Sequence, residues 1–428
     1  MKKTVGAAAS LWDLLSPALL AAYRYYSRRD GKAAGYFDIR RDLPERLAQA
    51  RASTGAPRVV VHAASVGETL MAMPVLAALT DAGYRTVLSY TSVSVARNMP
   101  KNIHAELVMP APFDAPGPVR AWLDAVSPAA VVFSTYDVWP GFAFECARRG
   151  LPMAMVNAQL PAGSGRLKFP AHIFYRSLYG TLDAVGAVSP DDAERFGRLV
   201  PADRVRVTGN CRFDQTIARC RAVADDDADL ALIPPGGDVL VGGSVWPEDL
   251  ERLLPGLGRL MTERPDLRAI LAPHEINEAH VSEPEKFFQD LGVPTVRWSA
   301  LKQGAAPEPV IIVDALGVLY KLYRRGTVAY VGGSFRQGIH SVMEPAGMGL
   351  PALMGPRHDN SPEALEMKDA GGAVVAADGR ELEAALRKWL TDGPARDAAA
   401  SAARGVVERN AGATERTLDL IRPLLPEM

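Results

Sequence analysis

Glu68 is the first residue of this chain whose setting suits a catalytic base. It closes the run His62-Ala63-Ala64-Ser65-Val66-Gly67-Glu68, after the apolar triplet Val59-Val60-Val61 and before a helix-like stretch over 70–80. A β-branched run, a glycine-bearing turn and a helix together present a loop beyond a strand's C-terminal end. Gly67 lets that turn close without a Cβ, and a carboxylate in such a crevice can take a proton from a hydroxyl. The competing reading is a carboxylate that only complements a helix N-terminus.

The second half of the chain offers anion-binding candidates. Val241-Gly242-Gly243-Ser244 leads into Trp246-Pro247-Glu248, with Pro247 suited to a first helical position. Val331-Gly332-Gly333-Ser334 runs through Arg336, Gly338 and His340 to Glu344-Pro345-Ala346. Backbone N–H groups at two such helix starts, with the Ser244 hydroxyl, can hold an anion; each motif alone also fits an ordinary loop turn. Glu344 follows His340 by four residues, so a helix over 340–347 would place both on one face. There Glu344 can accept the two hydroxyls of a ribose, or pair with His340 alone. Zinc has no support, since no His-Glu-x-x-His pattern occurs. His274, in Pro273-His274-Glu275, either closes over a base or phosphate or only stabilises its loop.

The first half returns further candidates to the edge that carries Glu68. These are Asp137-Val138-Trp139-Pro140, Asn157-Ala158-Gln159-Leu160 and the acidic helix start after Ser189-Pro190. Gly209-Asn210-Cys211-Arg212-Phe213-Asp214 marks a hinge at 208–216, where Arg212 reaches a phosphate or is a linker cation. Gly163-Ser164-Gly165-Arg166 is a mobile acceptor loop or an exposed turn.

Elements able to position these residues alternate regularly. Strands are expected at 59–61, 85–89, 106–109, 130–134, 153–157, 184–189 and 204–208. A second series is expected at 238–242, 269–272, 310–313, 327–331, 351–354 and 372–375. Helices fit 141–149, 247–259, 284–291, 316–324, 380–390, 395–410 and 414–421, and a polar helix should carry Asp225, Asp226, Asp227 and Asp229 as a solvated face. Short strands between helices imply parallel sheets covered on both sides. A length of 428 residues exceeds one core. The division expected is a segment 1–35, an α/β domain 36–210, a second α/β domain 211–400 and a C-terminal helix 401–428 packing back on the first domain, with the ligand cleft between domains.

Apolar residues at 48% and a net charge of -1 argue against a disordered or globally basic chain, and with no extended basic stripe nucleic-acid binding has little support. Three cysteines are too few for a disulfide framework. Near the N-terminus Leu11, Trp12, Leu14, Leu15, Leu19, Leu20, Tyr23, Tyr25 and Tyr26 precede Arg28, Arg29 and Lys32. Asp13 interrupts the run and Pro17 should limit the helix before it, which leaves it short of the roughly 20 residues that span a bilayer. Lys2 and Lys3 imitate a signal peptide, but no clean cleavage pattern follows. The segment either lies in a membrane interface with its arginines toward anionic head groups, or packs on protein.

Three pieces in this order, His62 to Glu68, Gly209 to Asp214, and Gly332 through Glu344 to Ala346, resemble the 3-deoxy-D-manno-octulosonic acid (Kdo) transferases of lipopolysaccharide assembly, over roughly residues 20 to 425. The resemblance implies a GT-B-like fold of two Rossmann-like domains and an inverting transfer of Kdo from CMP-Kdo to lipid A precursor or a related envelope glycolipid, at the cytoplasmic face of the inner membrane, bound peripherally. It implies Glu68 as general base. Donor contacts would come from Arg212, Gly243, Ser244, His274, Gly332, Gly333, Ser334, Gly338, His340 and Glu344. Acceptor contacts would come from Ser65, Gly67, Thr91, Asp137, Asn157 and Arg166. No cofactor and no metal are expected, because CMP carries a single phosphate.

The chain departs from the family pattern at several points. Glu-x-Glu-x-Trp-Pro becomes Ser134-Thr135-Tyr136-Asp137-Val138-Trp139-Pro140, and Asn-Ala-Arg-Leu becomes Asn157-Ala158-Gln159-Leu160. The lysine of Gly-Asn-x-Lys-Phe-Asp is Arg212, Pro-Arg-His is Pro273-His274-Glu275, and the threonine-rich stretch is Ser89 to Ser94. Two alternatives therefore stay open: a UDP-sugar-dependent envelope glycosyltransferase, and a scaffold or regulatory homologue that has lost transfer.

Overall fold

The computed structural model describes residues 6–100 and 102–428, so Lys2 and Lys3 lie outside the described residues. The chain divides into one unit of residues 1–215 with 412–428 and a second of residues 216–411.

The first unit is built on strands β1 (Arg58–Ala63), β2 (Arg85–Tyr90), β3 (Leu107–Pro110), β4 (Ala130–Ser134), β5 (Met153–Ala158), β6 (Ala184–Ala187) and β7 (Val205–Val207). Their order is β3-β2-β1-β4-β5-β6-β7, and every pairing is parallel. All six residues of β1 are buried, as its valine-rich sequence requires of a central strand covered on both faces. Strand order reverses between β1 and β4, where Val60 pairs with Val131. A crevice forms at such a reversal beyond the strands' C-terminal ends, and the Glu68 loop and the Asp137 loop both leave from it.

The second unit repeats the plan with β8 (Val239–Val245), β9 (Arg268–Pro273), β10 (Thr295–Arg297), β11 (Val310–Ile312), β12 (Val328–Val331), β13 (Ala352–Met354) and β14 (Ala373–Val375). The order β10-β11-β9-β8-β12-β13-β14 reverses between β8 and β12, the strands that end in the two Gly-Gly-Ser loops. The three-residue edge strand β10 was not expected from the sequence; its Thr-Val-Arg composition carries too little pattern to register.

The helices depart from expectation at several points: the one expected at 284–291 runs Glu278–Asp290, the one expected at 316–324 is only Leu319–Leu322 followed by a 3-10 turn, and four other differences bear on the site. The helix expected over 70–80 begins at Val66, because Ser65 caps it by accepting the Glu68 N–H at 3.3 Å. The helix expected around Asp225 instead ends at Arg221, and the acidic residues beyond it are ion-paired: Asp225 with Arg324, Asp227 with Lys321, and Asp229 with Lys302 and Lys321. The helix expected from His340 starts only at Met343, so His340 and Glu344 do not share a helical face. Pro17 does not stop the N-terminal helix, which runs unbroken over Ala7–Tyr26.

That N-terminal helix packs on the Pro140–Arg149 helix through Arg148 and Asp13 at 2.6 Å, while Trp12 donates to the Asp114 carbonyl at 3.3 Å. Its other side exposes Leu11, Leu14, Leu15 and Leu19, with Leu14 75% accessible. Among the described residues no helix is long and apolar enough to cross a membrane.

The C-terminal Ala413–Ile421 helix packs against the Val66–Asp81 helix of the first unit, with Ala413 and Ile421 in one cluster with Ala72, Val75 and Leu79. Asp214 fixes its start by accepting the N–H groups of Gly412 and Thr414 at 2.7 and 2.6 Å. Asp214→Ala should therefore cost about 1–2 kcal/mol in denaturant unfolding and increase proteolysis near residues 409–412. Unchanged stability and cleavage would show that the helix is held without this cap.

Candidate active site

Glu68 sits in the first turn of its helix with its side chain folded back, and its Oε2 accepts the Ala64 N–H at 2.6 Å. Both readings of this residue therefore have a structural basis: it closes the turn, and it stands at the sheet's crevice. Burial pushes its carboxyl up to about 7, against the lowering effect of the Ala64 bond, and the nearby Asp137 charge raises it further. A carboxyl with that value can alternate between acid and base near neutrality.

Asp137 is itself raised by burial, partly offset by Arg166, whose guanidinium lies 3.5 Å away. Arg166 rests on the rings of Tyr136 and Tyr175, at 4.6 and 5.3 Å, which stiffens an otherwise exposed loop. The structure thus brings together Ser65, Glu68, Asp137 and Arg166. Thr91, Ala64 and Asp137 line a groove of about 1120 Å³ whose other wall is made by Trp12, Leu19 and Tyr23 of the N-terminal helix and by Tyr36. Gly67 is exposed, and a Cβ there would touch only the Ser65 Oγ, at 3.9 Å. Asp114 joins the groove from the loop after β3; it accepts the Gly141 and Phe142 N–H groups, and burial raises its carboxyl to about 6.

Asn157 departs from its expected role. It is fully buried with φ at +51°, its Oδ1 accepts the Cys211 N–H at 2.8 Å, and its Nδ2 donates to the Met71 carbonyl. With a bond at each end of the amide it braces β5 against neighbouring segments. Arg212 opens the Arg212–Arg221 helix, its N–H donating to Asn210, and its guanidinium has no carboxylate partner among the described residues.

In the second unit the expected anion nest is already filled from within. Asp249, fully buried, accepts the Trp246 and Gly333 N–H groups at 2.9 and 2.7 Å and the Tyr330 hydroxyl at 2.7 Å. One carboxylate thus holds both Gly-Gly-Ser loops, and those N–H groups are not free for a phosphate. Ser334 is likewise committed, accepting the Gly355 N–H at 2.6 Å in a buried position. Gly332 has a backbone role, because a Cβ there would lie 2.2 Å from the Ser244 carbonyl oxygen. Gly333 and Gly338 hold the loop with φ at +90° and +141°.

Three other expected donor residues converge. Gly243, Ser244 and Glu344 line a hollow of about 190 Å³, together with Arg219, Tyr320, Tyr323 and Ser341, which the sequence reading missed. No motif marks Arg219 or Tyr320, which meet across a hundred residues of chain with the guanidinium 4.2 Å from the ring centre. Ser244 carries φ at +54°, a left-handed conformation at the end of β8. His274 and His340 do come together, but as parts of a stack. His340 lies 4.2 Å from His274, His274 lies 4.4 Å from Trp246, and Trp246 Nε1 bonds His340 Nε2 at 3.0 Å. Burial and the neighbouring His274 lower His340 to about 4, so it accepts this bond in its neutral form.

Known proteins resemble this chain in sequence and in fold. Residues 41–215 match the family model described as 3-deoxy-D-manno-octulosonic-acid transferase (kdotransferase). A 3-deoxy-D-manno-octulosonic acid transferase of Bordetella pertussis is 29% identical over 413 residues, covering 93% of this chain and 95% of the relative. One from Haemophilus influenzae is 25% identical over 380 residues, covering 86% and 87%. The chain is Kdo-transferase-like. Among solved structures, a UDP-GlcNAc 2-epimerase of Neisseria meningitidis matches 86% of this chain and all of its own, with TM-score 0.62 at 13% identity. A glycosyltransferase of Rickettsia africae matches 88% of this chain and all of its own, with TM-score 0.57 at 11% identity. These likenesses concern the fold, which is GT-B-like: two parallel-sheet lobes and a C-terminal helix.

The raised Glu68 carboxyl has a consequence for stability. Between about 4.5 and 7 the native state keeps a proton that the unfolded chain has lost, so this group lowers stability as pH rises through that window. Glu68→Gln should melt higher than the parent protein at pH 8, and the difference should vanish toward pH 4.5. An offset independent of pH would mean that the carboxyl is not raised.

Proposed function

We propose that this Kdo-transferase-like chain is an inverting glycosyltransferase of envelope glycan synthesis. It moves Kdo or a related ulosonic acid from its CMP-activated form to a hydroxyl of lipid A precursor or a similar glycolipid. The observation that carries the reading is Glu68, half-buried, poised near neutrality, and bonded to Ala64, which itself lines a groove of about 1120 Å³. The names of the 3-deoxy-D-manno-octulosonic acid transferases it resembles over most of its length support the sugar in this reading.

In this mechanism ionised Glu68 takes the proton of the acceptor hydroxyl. The freed oxygen attacks the anomeric carbon from the face opposite the phosphate, the bond to CMP breaks, and CMP leaves with its electron pair. Only the deprotonated form of Glu68 serves, so turnover rises as pH passes through about 7. Arg166, set on its two tyrosines beside Asp137, suits an anionic group on the acceptor. In the second unit Ser244 and Glu344 face the nucleotide, Glu344 accepting from ribose hydroxyls.

The exposed leucines of the N-terminal helix, followed by Arg24, Arg28, Arg29 and Lys32, suit peripheral attachment to an anionic bilayer at the cytoplasmic face of the inner membrane. The groove opens against the same helix through Leu19 and Tyr23. A lipid-linked acceptor would then reach Glu68 without leaving the interface.

Two measurements test this reading. In a transfer assay with CMP-Kdo and lipid A precursor, Glu68→Ala should lower turnover about a hundred-fold or more while CMP affinity stays near its starting value. Full turnover in the variant, or an equal loss of nucleotide affinity, would remove Glu68 from the base role. In vesicle co-sedimentation, the double change Leu14→Asp and Leu19→Asp should weaken binding to anionic liposomes about tenfold or more. Unchanged sedimentation would count against the membrane face.

A further inference from the structure

We infer that Arg219, assisted by Ser341, is the phosphate-binding group of the second unit, an inference that rests on the nucleotide reading above. The Gly-Gly-Ser loops cannot supply this function through the Trp246 and Gly333 N–H groups, because Asp249 occupies both. Those two N–H groups are therefore closed to an anion entering this unit, and side-chain donors gain in importance.

Two side chains with unused donors line the same hollow of about 190 Å³. The Arg219 guanidinium makes no hydrogen bond among the described residues. Its Cζ stands 4.2 Å from the centre of the Tyr320 ring, and it reaches Glu344 only at 3.9 Å, beyond hydrogen-bonding distance. A guanidinium carries five N–H donors in a fixed fork that matches two oxygens of a phosphate. Contact with the tyrosine ring restrains the guanidinium, so less ordering is lost on binding. The Ser341 Oγ is shielded from solvent and also lacks a partner. A buried hydroxyl left unbonded is costly unless a ligand completes it.

The opposite wall constrains the ligand further. Gly243 leaves room for the ring of Tyr323, whose hydroxyl lies 2.0 Å from where a Cβ would stand, so the wall is backbone and aromatic there. Glu344 adds an acceptor beside the two donors. A lone anion would be repelled by Glu344, whereas a phosphate joined to a sugar bearing hydroxyls satisfies both ends at once. The class selected is a nucleoside monophosphate or its ester. When it binds, Arg219 exchanges its distant contact with Glu344 for the phosphate, and Glu344 turns to the hydroxyls.

The experiment compares cytidine and CMP by calorimetry on the full chain, with UMP as a second nucleotide. The parent protein should bind CMP about tenfold or more tighter than cytidine, the difference reporting the phosphate contact. Arg219→Gln should remove most of that difference and leave cytidine affinity unchanged, and Arg219→Lys should restore part of it. Ser341→Ala should reduce CMP but not cytidine binding, and it tests the pair even where the arginine variants fail to fold. An undiminished gap between CMP and cytidine in Arg219→Gln, or an equal loss for both ligands, overturns the assignment. Absence of CMP and UMP binding in the parent protein would overturn the nucleotide reading and this inference together, whereas intact CMP binding in the variants overturns this inference alone.

Discussion

A carboxylate accepting backbone N–H groups is the interaction on which the loop edges of both units depend. Asp249 does this most completely, since one buried side chain ties the loop after β8 to the loop after β12 and takes a hydroxyl from Tyr330 as well. In the first unit Asp192 accepts the Leu160 N–H at 2.8 Å, and Asp114 holds the start of the Pro140–Arg149 helix. Glu68 does the same for Ala64. A parallel sheet leaves N–H groups unpaired where its strands stop and helices begin, and an internal anion answers them without consuming a ligand. Each such carboxylate loses water on burial and recovers that loss only through its hydrogen bonds, so removing the partner or the acid is costly in either direction.

The same device gives different chemistry according to how fully it is satisfied. Asp249 has three donors and no unmet demand, and it serves geometry. Glu68 has one strong donor, partial burial and the Asp137 charge nearby, and its proton affinity rises accordingly. A group held in this condition destabilises the native state above neutrality, a cost that persists where the group is needed for reaction. Ser244, in a left-handed conformation at the second strand reversal, is a second local strain beside a ligand-sized hollow. Strain and raised proton affinity thus lie at the two strand reversals, where the fold by itself opens crevices.

Most of this architecture was legible in the sequence because parallel strands buried on both faces read as short β-branched runs. Val59 to Val61 and Val328 to Val331 are such runs, and the loops after them carry glycine. The Glu68 loop was legible for the same reason. What the pattern did not disclose were side-chain meetings between distant segments. The occupation of the Gly-Gly-Ser loops by Asp249 depends on a helix turn folding back, and Arg219 meets Tyr320 across a hundred residues of chain. His340 and Glu344 have helical spacing but not helical backbone, because the loop pinned by Asn360 at both the N–H and the carbonyl of Ile339 delays the helix. Asn157 looked like a ligand contact because polar residues at strand ends often are; its positive φ and two internal bonds instead make it a brace.

The N-terminal helix is the clearest case of a segment shaped for something outside the chain's own core. Its packed side is anchored by specific polar contacts, Arg148 to Asp13 and Trp12 to the Asp114 carbonyl, and its orientation on the first unit is therefore fixed. Leu11, Leu14, Leu15 and Leu19 then face water on the remaining side, and burying a leucine fully is worth about 1.5–3 kcal/mol. Folding alone gives no reason to keep four of them uncovered on a helix that already has a packed face. Arg28 and Arg29 follow at the end of that helix, both near the Tyr25 ring, so cationic groups border the apolar surface. An apolar face with a cationic border matches acyl chains below anionic head groups. The groove walled by Leu19 and Tyr23 runs from that surface to Asp137 and to Ala64, the residue bonded to Glu68.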